Sequence, residues 1–131
     1  MNIKFKTITN VLLTIILVFS ILMISTIVIT KTKFIYYNDI NNLEIQEMSG
    51  LKESEIKLNY NYTINYLFDN TISEFKPPTI SSSLDGSQHF KEVRNLFNRG
   101  IIILKTSLVL GSLVFIIAVK NNYLDFKFLK G

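Results

Sequence analysis

His89 is the sole imidazole of the chain. On a helix, Glu92, three residues on, shares its face. A carboxylate there can hold one ring nitrogen and leave the other free as a base for proton transfer near neutral pH. A lone histidine beside a turn is also what an incidental surface residue looks like, and spacing alone does not separate the two. Arg94, five residues beyond His89, falls on a different face, where a lipid phosphate or plain solvent would meet it. Ser81, Ser82 and Ser83 offer hydroxyls, but a serine run after Pro77-Pro78 reads equally well as loop. The absence of cysteine removes thiol nucleophiles, disulfides and Cys-based metal sites, and a single histidine excludes the multi-His zinc motifs.

The elements that must position these residues lie in a chain of 131 residues whose apolar side chains gather in two blocks. Val11–Ile29 holds 19 residues without a charge, and Gly100–Val119 holds 20 with one charge, Lys105. As helices each would reach about 29–30 Å, the thickness of a bilayer's hydrocarbon core. Backbone groups in lipid must be satisfied within the segment, so both blocks are expected to be transmembrane helices. A simple soluble globule is excluded. The first block is too long for the apolar core of a cleaved signal peptide and ends in "STIVITKTKF" without a small-residue cleavage site, so it reads as an uncleaved anchor.

Thr14, Ser20, Ser25 and Thr26 in the first span, and Thr106, Ser107, Gly111 and Ser112 in the second, are small or weakly polar. They either bond back to their own helix or form a helix–helix contact face. Lys105 either snorkels to the near interface or faces a polar cavity.

Basic residues near the span ends do not decide the orientation. Lys4, Lys6, Lys120, Lys127 and Lys130 stand on the terminal side, against Lys31, Lys33, Lys91, Arg94 and Arg99 on the loop side. The stretch from Thr30 to Arg99 is net −1 and the two ends are each net +2, which leans towards an extracytoplasmic loop. The overall charge of +4 is therefore read as membrane topology, and no nucleic-acid partner is expected, because no basic stripe carries interleaved aromatics.

The expected organisation is a cytoplasmic N-terminus (1–10), a first span (11–29), a loop domain (30–99), a second span (100–119) and a cytoplasmic tail (120–131), with the tail read as a point of truncation. The fold class is an all-α membrane protein with two transmembrane helices joined by a largely helical extracytoplasmic loop of about 70 residues. Within the loop, Asn41–Asn70 reads as helical, with Ile56, Tyr60, Ile64 and Leu67 in one apolar stripe and Glu53–Lys57 as an i,i+4 pair. Pro77, Pro78 and Asp85-Gly86 break the pattern. Ser87 is the expected N-cap of a further helix with Phe90, Val93 and Phe97 on its apolar side. That helix is expected to run into the second span directly or through a small kink at Gly100.

"NYNYTINYLFD" (Asn59–Asp69) followed by "FKPPTISSSLDGSQHFKEVRNLF" (Phe75–Phe97) resembles the loop of a family of small Gram-positive integral membrane proteins that includes the lipoprotein intramolecular transacylase. The family pattern N-Y-x-x-L-x-x-Y-L is approximated by Asn61-Tyr62, by Ile64 for the leucine with one residue fewer before it, and by Tyr66-Leu67 with one residue fewer again. The string G-x-x-H-F-x-E-V-K-x-L-F is met by Gly86, His89-Phe90, Glu92-Val93 and Leu96-Phe97, with Arg94 in place of lysine. The resemblance runs from about Ile8 to Val119.

It implies a chemistry and a partner. Family members move a fatty acyl chain within a diacylated lipoprotein, from the sn-2 position of the diacylglyceryl group to the N-terminal cysteine amine, and leave a lyso-form. His89 would be the base, with Glu92 orienting it. Arg94, Asn65 and Tyr66 would lie on the substrate side as support or lipid-phosphate contacts. Ester-to-amine transfer needs a proton acceptor, oxyanion stabilisation and a donor for the leaving hydroxyl, but no metal or other cofactor. Membrane lipid and the diacylated lipoprotein are the implied partners.

Family chains are longer, with four spans and a second functional histidine, so an incomplete active site completed by a complementary chain is expected. The alternative is a non-enzymatic two-span sensing or partner module. A holin-like pore fits poorly, because it would not need a structured loop of this length.

Overall fold

The computed structural model describes residues 3–121 and Tyr123. The expected tail beyond these positions, with Lys127 and Lys130, lies outside the described residues. The described chain is all-helical: α1 (Ile3–Lys31), α2 (Lys33–Asn42), α3 (Ile45–Ser49), α4 (Glu53–Phe68) and α5 (Leu84–Lys120). It divides into two compact units. One comprises Met1–Ser25 with Ile101–Gly131, and the other Thr26–Gly100.

The first unit contains most of both apolar blocks. α1 and α5 are each long and apolar enough to cross a membrane. Ile15, Leu17, Leu22, Ile102, Val109 and Leu113 are among the many large apolar side chains left exposed along them. Leaving such side chains in water would cost on the order of 1.5–3 kcal/mol each, so this surface is built for lipid.

The few buried positions are small or weakly polar: Thr9 and Ser20 on α1, Gly111 and Ala118 on α5, with Leu104 beside them. Gly111 lets the helices approach closely. A Cβ there would stand 3.1 Å from Ile16 Cγ2. Thr14, Ser20, Thr106 and Ser112 each donate to the carbonyl four residues back, at 2.7–2.9 Å. Ser20 both bonds to its own helix and is buried, whereas Thr14, Thr106 and Ser112 are exposed and only bond back. Asn10 Nδ2 donates to the Tyr123 carbonyl at 3.2 Å, and Phe5 meets the Tyr123 ring edge-on. Lys105 is exposed.

In the second unit, Thr32 alone interrupts the path from α1 to α2. The stretch expected as one helix from Asn41 to Asn70 is broken twice. Glu44 (φ 51°) and Gly50 (φ 70°) adopt the left-handed conformation, and α4 begins only at Glu53. Glycine takes that conformation without a Cβ penalty and ends α3 there. Glu55 Oε2 accepts the Lys52 N–H at 3.0 Å and so satisfies one orphan donor at the α4 N-terminus.

The core of the unit is Tyr66, Leu67 and Phe75, with Tyr62, Phe68, Ile72, Phe90, Val93 and Phe97 packed around it. The expected α5 stripe joins this core whole, but of the expected α4 stripe only Leu67 does; Tyr62, Tyr66 and Phe68 supply the rest, while Tyr60 stacks on Tyr36 of α2. The segment 69–83 contains Pro77-Pro78 and no helix, yet its backbone is tied down. Tyr62 Oη donates to the Glu74 carbonyl at 2.8 Å and accepts the Lys76 N–H at 2.9 Å. Asn59 grips Thr79 twice, through its amide and through its carbonyl oxygen.

α5 starts at Leu84, four residues before the expected helix start at Gln88. Ser83 Oγ accepts the Gly86 N–H at 3.0 Å, so Ser83 and not Ser87 is the N-cap. Ser87 instead sits in the helix and donates to Ser82 Oγ and the Phe75 carbonyl. The helix then continues without interruption through Gly100 to Lys120.

Candidate functional site

His89 lies in the second turn of α5, on its exposed side. Its ring meets the edge of Phe90 at 5.8 Å between centroids, and among the described residues its nitrogens have no hydrogen-bond partner. Phe90 points the other way and stacks on Phe75 at 4.1 Å. That stack fixes the rotation of α5 about its axis and thereby which side His89 presents. Glu92 shares the exposed face, but its carboxylate accepts from Gln88 Nε2 at 2.9 Å. The structure therefore places Glu92 near His89 in sequence and face but joins it to Gln88, at i−4, and not to the imidazole.

Arg94 and Tyr66 are brought together. The Arg94 guanidinium carbon lies 4.0 Å from the centre of the Tyr66 ring, and Nη1 donates to the Ile72 carbonyl at 2.6 Å. Tyr66 is 1% exposed and packs edge-on against Phe75. Arg94 is thus anchored between α4 and the following segment. Tyr66 also helps line a cleft of about 630 Å³ together with Phe75, Ile80, Ser82, Ser87 and Lys91. Ser81 and Ser82 belong to this cleft, while His89 is not among its lining residues.

Asn65, exposed and without a side-chain partner among the described residues, lies elsewhere. It lines a second cleft of about 440 Å³ with Lys31, Lys33, Ile64, Phe68 and Asp69. Lys31 Nζ stands 4.5 Å from the centre of the Phe68 ring. Hydrogen bonds from the Thr71 hydroxyl and backbone N–H hold the Asp69 carboxyl below the usual carboxylate range. Lys76 does the same for Glu74, by hydrogen bond and charge, and is itself raised in return.

Pattern reasoning missed the aromatic cluster of Tyr36, Tyr37 and Tyr60. Tyr36 and Tyr60 stack at 3.9 Å, Tyr37 Oη donates to Asn61 Oδ1 at 2.9 Å, and burial raises the phenols of Tyr36 and Tyr60 above their ordinary value. No local signal pairs residues 24 positions apart, although the density of tyrosines in both segments was visible. The cleft at Lys31 and Lys33 was missed for the same reason, since those lysines read only as residues flanking a span.

A family model described as "Lipoprotein intramolecular transacylase Lit" matches residues 11–130. Among solved structures, the chain is similar to the membrane integral lipoprotein intramolecular transacylase of Bacillus cereus at 24% identity and a TM-score of 0.81, over 91% of this chain and 55% of that one. Two variants of that enzyme, with one histidine replaced by arginine or by alanine, match at 23% identity and a TM-score of 0.84. Each covers 91% of this chain, and 53% and 54% of the relative. At these identities the structures establish the fold. The chain spans a little over half the length of these solved relatives. No curated protein sequence matches.

Proposed function

Because the chain belongs to the lipoprotein intramolecular transacylase family, we propose that it serves the transfer of an sn-2 acyl chain to the N-terminal cysteine amine of a diacylated lipoprotein, with His89 as base. The observation that carries this reading is the setting of His89. It is exposed, unpartnered among the described residues, and held on the same unbroken helix that becomes the second span. It lies eleven residues before Gly100, or about 16 Å along the helix axis. An acyl chain anchored in the bilayer places its ester near the headgroup layer, so a base on this helix is within reach of it when the loop is on the outer side. The loop is accordingly assigned to the extracytoplasmic face.

The step balances without an external reactant. His89 takes a proton from the cysteine ammonium and releases it to water, and the freed amine attacks the sn-2 ester carbonyl. As the new C–N bond forms and the C–O bond to glycerol breaks, His89 takes the second amine proton and delivers it to the leaving glycerol oxygen, which leaves a neutral amide and alcohol with one proton released to water. Amine and ester belong to one molecule, so attack is intramolecular and needs little more than orientation. Glu92 is assigned to the imidazolium. It occupies the i+3 position on the same face and would exchange Gln88 for the ring when substrate is bound, since catalytic hydrogen bonds often tighten only in the complex. Arg94 and Tyr66 brace the substrate side of the loop, and Asn65 contacts lipid from the second cleft.

The test uses a host that lacks lyso-lipoprotein. One arm expresses the chain alone, and another expresses it together with the remaining portion of the B. cereus relative. Mass spectrometry of a reporter lipoprotein is expected to detect the lyso-form in at least one arm and to lose it in His89→Ala. Lyso-form in neither arm overturns the function, and unchanged lyso-form in the variant overturns the assignment of the base.

A further inference from the structure

We propose that the cleft formed by Lys31, Lys33, Asn65 and Phe68 binds the phosphodiester of a membrane phospholipid headgroup. The two lysines are the first basic residues after the first apolar block, two and four positions beyond Ile29. A helix that spans the hydrocarbon delivers such residues to the depth of the headgroups. Two other lysines of the loop have acidic partners, Lys57 with Glu53 and Lys76 with Glu74, whereas Lys52 and Lys91 have none among the described residues. Lys31 and Lys33 have none among the described residues.

The lining suits the ligand. Ile64 and Phe68 supply an apolar wall, Asn65 an amide with no side-chain partner among the described residues, and the lysines supply the charge. The Phe68 ring under Lys31 Nζ holds that ammonium at the cleft. Asp69 is the one acidic lining residue, and its Oδ1 is already occupied by the Thr71 N–H and hydroxyl. Two lysines against one carboxylate leave a net single positive charge. That matches a phosphodiester, which carries one negative charge, better than a phosphate monoester with nearly two. The cleft volume of about 440 Å³ admits a phosphoglycerol or phosphoethanolamine group but not a whole lipid, whose acyl chains would remain in the bilayer. The diacylglyceryl group of a lipoprotein has no phosphate, so the bound lipid would be a neighbour of the acyl donor and not the donor itself. The proposal rests on the placement of Asn65 at a lipid but not on acyl transfer.

Native mass spectrometry of the full chain in detergent, titrated with phosphatidylglycerol, reads this binding directly. One lipid is expected to be retained per chain. Lys31→Gln with Lys33→Gln should weaken retention about tenfold, while Lys4→Gln with Lys91→Gln, which removes the same charge elsewhere, should change it less than about twofold. Equal weakening by both pairs overturns the cleft in favour of diffuse attraction. Displacement of the lipid by equimolar inorganic phosphate overturns the lipid as its source. Where the lysine pair does not fold, Asn65→Leu decides: a several-fold loss supports the cleft, and unchanged retention overturns it. Lipid retention is read on this chain and acylation on the lipoprotein, so the two proposals fail separately.

Discussion

The Arg94 guanidinium carbon lies over the Tyr66 ring, 4.0 Å from its centre, and Nη1 donates to the Ile72 carbonyl. One side chain of α5 thereby ties together the end of α4 and the segment that follows it. An arginine fork can stack and donate at once, whereas a lysine offers a point charge and cannot do both in this geometry. Arg94→Lys is expected to cost about 1 kcal/mol, and Arg94→Ala about 2–3 kcal/mol, the latter leaving the Ile72 carbonyl without its charged donor. Thermal unfolding in detergent measures both. Equal stability of all three proteins would show that the stack contributes nothing.

Gly111 sits where α5 comes closest to Ile16. In lipid, helices associate through close packing and not through the hydrophobic effect, so this contact carries much of the pairing. Gly111→Val places two γ carbons where even a Cβ would be crowded. The melting temperature in detergent reads this contact. A fall of several degrees is expected for Gly111→Val, and less than half of that for Gly111→Ala. No difference between valine and the native glycine would remove Gly111 from the interface.

The two lowered carboxyls give a pH signature. Folding holds Asp69 and Glu74 below their ordinary range, so their contribution to stability is fully present above that range. It is lost as pH falls through the folded values, because the unfolded chain then binds the proton first. Both groups are exposed and the effect on stability is small, so the sharper readout is site-resolved NMR titration. Thr71→Val is expected to raise the Asp69 midpoint and leave Glu74 alone, and Lys76→Gln to do the reverse. Unchanged midpoints would mean that these hydrogen bonds do not persist in solution.

Legibility followed the range of the interactions. The two spans were readable because lipid imposes a local rule on some 20 consecutive residues. The stripes Ile56–Ile64–Leu67 and Phe90–Val93–Phe97 were readable because a helix repeats its faces within two turns. The break at Glu44 was not, since a left-handed glutamate leaves no signal in composition, whereas Gly50 did carry one that the stripe beyond it masked. With three serines before α5 and a fourth at Ser87, the choice of cap depends on which hydroxyl reaches Gly86. The site shows the same limit. His89 and Glu92 stand at i,i+3, but Gln88 and Glu92 stand at i,i+4, and the sequence offers no rule for which pair closes. Likewise, nothing local tells Arg94 to stack on Tyr66 rather than face lipid.

The side of the membrane on which the loop lies can be tested with unusual clarity, because the chain has no cysteine. Ser81 is exposed in the segment between α4 and α5 and makes no side-chain hydrogen bond among the described residues, so Ser81→Cys should not disturb the fold. A membrane-impermeant maleimide added to intact cells is expected to label this cysteine fully. A second variant with cysteine at Thr7, before the first apolar block, should be labelled only after the cells are opened. The even distribution of basic residues gives no strong orientation force, so dual insertion is the specific alternative, and it would appear as partial labelling of both variants. Labelling of Thr7→Cys but not Ser81→Cys on intact cells would put His89 on the cytoplasmic side. The acyl transfer proposed above would then fail with it, because the base and the outer-leaflet ester would be separated by the hydrocarbon core.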